Sequence, residues 1–222
     1  MGKLVSKKIA KSLVNDIPSS KAYDYAPLYH GTSVEAVKIL FETGSLASSR
    51  FFNFSGNHPV YSGYLFFAPN CLALAKHPIR DKLCPELSRP SSIRHAESYA
   101  GIHQKEEYFF DIFGREFVGE INSSTILAGS VSRKTIEAEG FDFTKADEIG
   151  WRNVLRRAEE LKGVLIGVNN KFLNKFKLEE SVEGNKEVKV YAPEGVSIDY
   201  IGFVQPLGDL ESKRLHEIIK SL

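Results

Sequence analysis

Between Leu4 and Ile17, apolar residues recur at Leu4, Val5, Ile9, Leu13, Val14 and Ile17, while Lys3, Lys7, Lys8 and Lys11 fall elsewhere. That spacing predicts an amphipathic helix packed on a domain, with a solvated basic face. "AYDYAPLYHG" then reads as a short strand. Thr32 or Ser33 can cap the helix that follows, with Val34, Val37, Leu40 and Phe41 inward and Gly44 as its stop. "YLFFAPN" is a compact strand, and "CLALAKHP" a short helix ended by Pro78. "IRDKLCPELSRPSSIRH" carries two prolines and reads as irregular. From Glu106 to Leu127, dense aromatic and β-branched residues predict strands.

"KADEIGWRNVLRRAEELKG" predicts one strong helix, with Ile149, Val154, Leu155, Ala158 and Leu161 on its apolar side. "GVLIGV" is apolar throughout, so it predicts a strand buried on both faces. "KEVKVYA" alternates: Val188 and Val190 share one face, and Glu187, Lys189 and Tyr191 share the other. "VSIDYIGFV" is a further strand after a Pro-Glu-Gly turn, and "LGDLESKRLHEIIKSL" a closing helix on Leu215, Ile218, Ile219 and Leu222. No internal repeat and no linker breaks the pattern. The expectation is a single α+β domain over residues 1–222, with 1–20 as a helical extension and 79–150 as a recognition insertion.

Composition narrows the function. A net charge of +1 gives no overall field toward nucleic acid or an anionic membrane. No apolar run approaches the ~18 residues a membrane helix needs, so no membrane partner is expected. The two cysteines, Cys71 and Cys84, are too few for a disulfide framework and read as free thiols in a reducing compartment. The start of the chain lacks the apolar core of a signal peptide, so the expected location is cytoplasmic, or a host cell reached by an export route not legible here. There is no CxxC, HExxH, GxSxG or standard phosphate loop, and the six histidines are scattered, so no metal is expected.

What remains is a strand that ends at His30-Gly31-Thr32, and a glutamate, Glu187, where a strand enters the sheet. Three motifs carry a resemblance. "LYHGTSVEAVKILFETG", "GYLFFAPNCLALAKH" and "NKEVKVYAPEGVSIDYI" resemble, in order, the motifs of the ADP-ribosyltransferase superfamily. The branch is the diphtheria-toxin and poly(ADP-ribose)-polymerase one, whose signature is His-Tyr-Glu. Together they cover roughly a quarter of the chain.

The resemblance implies a split, mostly antiparallel β-core with peripheral helices, and NAD as substrate. It implies that His30 hydrogen-bonds a ribose hydroxyl and that the backbone of Gly31, beside Thr32, clasps the nicotinamide carboxamide. Phe66 and His77, eleven residues apart, would stack on nicotinamide. Phe66 stands where the family has tyrosine, and Tyr64, on the same strand face, is the alternative. Leu74 stands where the family often has a carboxamide-binding serine. Glu187 would be the catalytic carboxylate.

The implied activity is a mono-ADP-ribosyltransferase acting on a macromolecular acceptor, protein or nucleic acid, of the toxin or effector kind. Asn185, two residues before Glu187, lacks the charge to hold an arginine acceptor. The alternatives are an NAD glycohydrolase or RNA 2′-phosphotransferase on the same fold, and a non-enzymatic ADP-ribose- or protein-binding relative.

Overall fold

The computed structural model describes residues 5–14, 26–48, 63–78, 91–114, 123–127, 129, 132–180 and 187–222. Helix α1 (Lys7–Leu13) opens it, capped by the Ser6 hydroxyl, which accepts from the Ile9 amide. Ala10 and Leu13 are its buried residues, with Val5 buried just before it, whereas Ile9, expected in the apolar stripe, is 47% exposed. Strand β1 (Leu28–Thr32) runs into α2 (Val34–Thr43). Ser33 is the cap, accepting from the Ala36 amide, and Gly44 ends the helix in the left-handed region at φ 73°. After β2 (Ser45–Leu46), strand β3 spans Tyr64–Pro69.

The next stretch departs from expectation. Residues 71–78 form successive turns rather than a short helix. Asn70 starts them, its Oδ1 accepting from the amides of Leu72 and Ala73. Cys71 is disulfide-bonded rather than free. The region expected to be irregular and then stranded contains a long helix instead, α3 (Ser91–Phe113), followed by α4 (Ser123–Leu127). Its aromatic residues are the core of a helical cluster: Phe109, Phe110 and Phe113 pack with Ile136, Phe143, Val154 and Ala158. Around them stand α5 (Arg133–Ala138), α6 (Thr144–Ile149) and α7 (Trp151–Glu160). The expected single helix from Lys145 onward is broken into α6 and α7 at Gly150, whose φ of +84° no right-handed helix tolerates.

Strand β4 (Val164–Val168) is buried at every position, as its apolar run predicts. There follow α8 (Asn170–Lys175), β5 (Glu179–Glu180), β6 (Val188–Tyr191), β7 (Val196–Ser197), a 3₁₀ turn over Ile198–Tyr200, β8 (Ile201–Pro206) and α9 (Asp209–Ser221).

The fold is α+β. A six-stranded sheet has the order β5-β6-β3-β1-β4-β8, every neighbouring pair antiparallel. The main apolar core lies on one face, where Leu28, Phe67, Ile166, Val188 and Val204 meet α2 (Val37, Phe41) and α9 (Leu215, Ile219). On the other face, Tyr29, Ala68, Leu165 and Phe203 pack with Ala96 of α3. No helix among the described residues is long and apolar enough to cross a membrane.

Candidate active site

The sheet parts at His30. Strands β1 and β3 pair only at Leu28↔Pro69 and Tyr29↔Ala68, whereas β1 pairs with β4 through Thr32. Beyond Tyr29 a side chain replaces the ladder: His30 Nδ1 donates to the Phe66 carbonyl oxygen at 2.8 Å. A carbonyl can only accept, so Nδ1 carries the proton and Nε2 keeps a lone pair. The ring lies 5.5 Å from the Phe67 ring. Burial pushes its pKa down, only partly opposed by the bond to Phe66, so the imidazole is held neutral.

Glu187 approaches the same strand from the opposite edge. Phe67 pairs with Val188, and Phe66 with Lys189. Two strand spacings therefore separate β1 from β6, about 10 Å. Val188 and Val190 are buried in the main core, so by alternation Glu187 and Lys189 share the other face with Phe66 and Tyr64. Lys189 Nζ sits 5.2 Å from the centre of the Tyr64 ring, and the Tyr64 and Tyr191 rings are 5.2 Å apart. Phe66 is half-buried at the same point.

Glu187 is buried, and His95 of α3 is its partner, Nε2 donating to Oε1 at 2.9 Å. Burial pushes the Glu187 carboxyl above its usual range, and His95 opposes that rise. Tyr99, one turn further along α3, stands edge-on to the His95 ring at 4.8 Å. Its phenol is pushed up by burial and then by the Glu187 charge. His103, one more turn along, has its ring centre 6.0 Å from that of Tyr99.

Helix α3 reaches this position because two glycines admit its backbone. A Cβ on Gly31 would lie 1.9 Å from the Ala96 carbonyl oxygen, and one on Gly163 would lie 2.1 Å from that of Ala100. Gln104 fixes the far side: its Oε1 accepts from the Val34 amide and its Nε2 donates to Glu35, which also pairs with Arg214. The missing side chain of Gly31, read from sequence as room for a ligand, is used here by α3. Thr32 is buried at the end of β1.

His77 lines a groove of about 540 Å³ with Pro78, Phe176, Leu178, Glu179 and Glu180. His30, Phe66 and Glu187 are not among that groove's described lining. Leu74 is fully buried in the main core. Asn185 lies outside the described residues.

The structure thus sets His30, Phe66, Tyr64 and Glu187 on the neighbouring strands β1 and β3 and at the start of β6, with Phe66, Tyr64 and Glu187 on one face and His30 turned to Phe67 of the main core, and adds three residues the sequence reading passed over: His95, Tyr99 and His103. Their signal is present in "RHAESYAGIHQ", where ring side chains recur every fourth residue beside Ala96 and Ala100. Among the described residues no cluster of three histidine, cysteine or carboxylate groups is arranged to hold a metal ion.

The buried imidazoles carry a stability prediction. His103 has its Nδ1 sealed from solvent, and burial, reinforced by His30, pushes its pKa from 6.5 down to about 3. Between those values the unfolded chain binds a proton that the native one does not. Stability therefore falls as pH falls through the window from 6.5 toward 3, at a slope approaching ~1.4 kcal/mol per pH unit for one group. His103→Gln removes this contribution. Urea midpoints measured from pH 7 to pH 4 should fall less steeply for the variant, and parallel profiles would remove the burial argument.

Comparison of the chain with protein-family models, curated proteins and solved structures gives no match.

Proposed function

We propose that the protein is an NAD-dependent mono-ADP-ribosyltransferase on an ADP-ribosyltransferase-like fold. It would cleave the nicotinamide–ribose bond and pass ADP-ribose to a macromolecular acceptor. The observation that carries the reading is the convergence on β3. His30 and Glu187 are more than 150 residues apart in sequence, yet β1 and β6 are the two neighbours of one strand, and the sheet parts between β1 and β3. The three motifs that resemble the family in sequence are the three strands that meet there.

The chemistry of each group supports the same reading. Neutral His30, its Nδ1–H bound to Phe66, presents a lone pair at Nε2 that accepts from a ribose hydroxyl. Phe66 and Tyr64 offer ring faces beside the parted strands. Leaving of nicotinamide builds positive charge on the ribose, and the Glu187 carboxylate faces that charge from a buried position, where its field is screened least. Oε1 is held by His95, so Oε2 is the oxygen for the ribose hydroxyl. The disulfide at Cys71 fits an oxidising compartment better than a reducing cytoplasm, and so favours the delivered toxin or effector.

The test is incubation with NAD labelled in the adenylate portion and a cell lysate, followed by separation of the label into protein, nucleic acid and small molecules. Label in protein or nucleic acid, with one ADP-ribose per site, supports the transferase. Label only in free ADP-ribose makes the protein a glycohydrolase, and no turnover removes the enzymatic reading. In the same assay His30→Ala should raise the NAD dissociation constant about tenfold, one hydrogen bond of ~1.4 kcal/mol. Unchanged NAD binding by titration calorimetry would remove His30 from the site.

A further inference from the structure

We propose that His95 is the proton acceptor of the transfer step, and that the acceptor group is accordingly a hydroxyl; this rests on the ADP-ribosyltransferase reading above. The first observation is that α3 is a built part of the site. Its backbone lies against the faces of Gly31 and Gly163 at distances only glycine allows. Ala96 and Ala100 are buried at that seat, and Gln104 ties the helix to the start of α2. Side chains one residue from such a seat have a fixed position, and His95 directly precedes Ala96.

The second observation is how His95 is held. Its Nε2–H is given to Glu187 Oε1 at 2.9 Å. Tyr99 packs edge-on against its ring. The His95 side chain is 35% exposed, against 11% for Glu187. The imidazole therefore stands between a buried carboxylate and the open side of the site. With Nε2 protonated, Nδ1 of the neutral ring is the basic nitrogen, and it has no partner among the described residues. A carboxylate that fixes the tautomer on one nitrogen and stabilises the imidazolium leaves the other nitrogen ready for a proton.

The step balances. The bond from the ribose C1″ to the nicotinamide nitrogen breaks, and both electrons leave with nicotinamide, which becomes neutral. A lone pair of the acceptor oxygen forms the new bond to C1″. The hydroxyl proton moves to His95 Nδ1, and the resulting imidazolium faces the Glu187 carboxylate until solvent takes the proton. A carboxylate acceptor would arrive already deprotonated and would have no use for such a base. A hydroxyl has a proton that must go somewhere, and His95 is placed beside the group that faces C1″.

The probe is N-acetylserinamide offered with NAD, with N-acetylglutamate α-amide as the carboxylate comparison. Conjugate and released nicotinamide are measured separately. Wild type should form the serine conjugate in preference to the glutamate one. His95→Gln keeps an N–H for Glu187 but cannot take a proton. It should lower the kcat for the serine conjugate about a hundredfold, the lower end of general-base effects. KM for NAD should stay within about tenfold of wild type, and the ratio of serine conjugate to released nicotinamide should fall, because proton removal concerns only the transfer step. His95→Ala should regain conjugation when imidazole is added to the buffer.

Conjugation by His95→Gln at the wild-type rate, or a preference for the glutamate probe, would overturn the proposal while leaving the transferase reading intact. The same holds for nicotinamide release by wild type without any serine conjugate. Absence of nicotinamide release from wild type would overturn both.

Discussion

Glu187→Gln is expected to lower nicotinamide release at least about a hundredfold, equivalent to ~2.7 kcal/mol of lost transition-state stabilisation. NAD binding should stay within about threefold, because uniform contacts with substrate and transition state are unchanged. The substitution is nearly isosteric. The glutamine carbonyl oxygen can still accept from His95 Nε2, so α3 and β6 stay joined as they are by the 2.9 Å bond in the native protein. What goes is the negative charge. That charge has little to oppose in the ground state, where the positive pyridinium lies beyond the ribose, and most to oppose when the ribose itself becomes cationic. Burial sharpens the difference, since Glu187 is only 9% exposed and water screens it poorly. Stopped-flow or discontinuous assay of nicotinamide, with NAD affinity measured separately by calorimetry, divides the two effects. Equal NAD consumption by wild type and Glu187→Gln would rule out the assigned role. A loss of binding as large as the loss of rate would make Glu187 a ground-state contact instead.

The elements that were legible in the sequence are those decided by near neighbours. Ser33 as a cap, Gly44 as a stop, the buried run of β4 and the alternation through Val188 and Val190 are all local patterns, and each matches the structure. The α+β class follows from them. Residues 91–95, expected to be irregular, and 106–113, expected to be strand, are helical instead because α3 is packed on more than one side. Ala96 and Ala100 face the sheet, Phe109 and Phe113 face α5 to α7, and Gln104, Glu106 and Glu107 are buried polar residues between these surfaces. No single apolar stripe survives such an environment, and the aromatic density imitates strand. The candidate site divides along the same line. His30, Phe66 and Glu187 sit on locally legible strands. His95 became a candidate only when α3 crossed the sheet, because its distance from Glu187 is set by tertiary packing. Gly31 was singled out for a valid reason, the need for close approach, but in the structure it is a helix that approaches.

That seat of α3 yields the largest expected effect on stability. Gly163→Ala should destabilise the protein by about 2–5 kcal/mol, the sum of a left-handed backbone penalty of about 1–2 kcal/mol and an overpacking cost of about 1–3 kcal/mol. Gly163 has φ +76°, and an added Cβ would stand 2.1 Å from the Ala100 carbonyl oxygen and 2.9 Å from that of Thr32. Both neighbours are backbone, so neither can swing aside as a side chain would. Gly140 provides the control. Its φ is +85°, and an added Cβ meets nothing within 4 Å, so Gly140→Ala should carry the backbone penalty alone, about 1–2 kcal/mol. The difference between the two isolates the contact between helix and sheet. Gly31→Ala tests the same seat without the backbone term, since its Cβ would lie 1.9 Å from the Ala96 carbonyl oxygen and its φ is not positive. Urea denaturation of the three variants measures the costs directly. Where Gly163→Ala or Gly31→Ala remains folded, α3 has moved outward, and the bond between His95 and Glu187 should weaken with it. Turnover should therefore drop in those two variants and not in Gly140→Ala. If Gly163→Ala is no less stable than Gly140→Ala, α3 is not seated on the sheet, and His95 loses the fixed position on which its role depends.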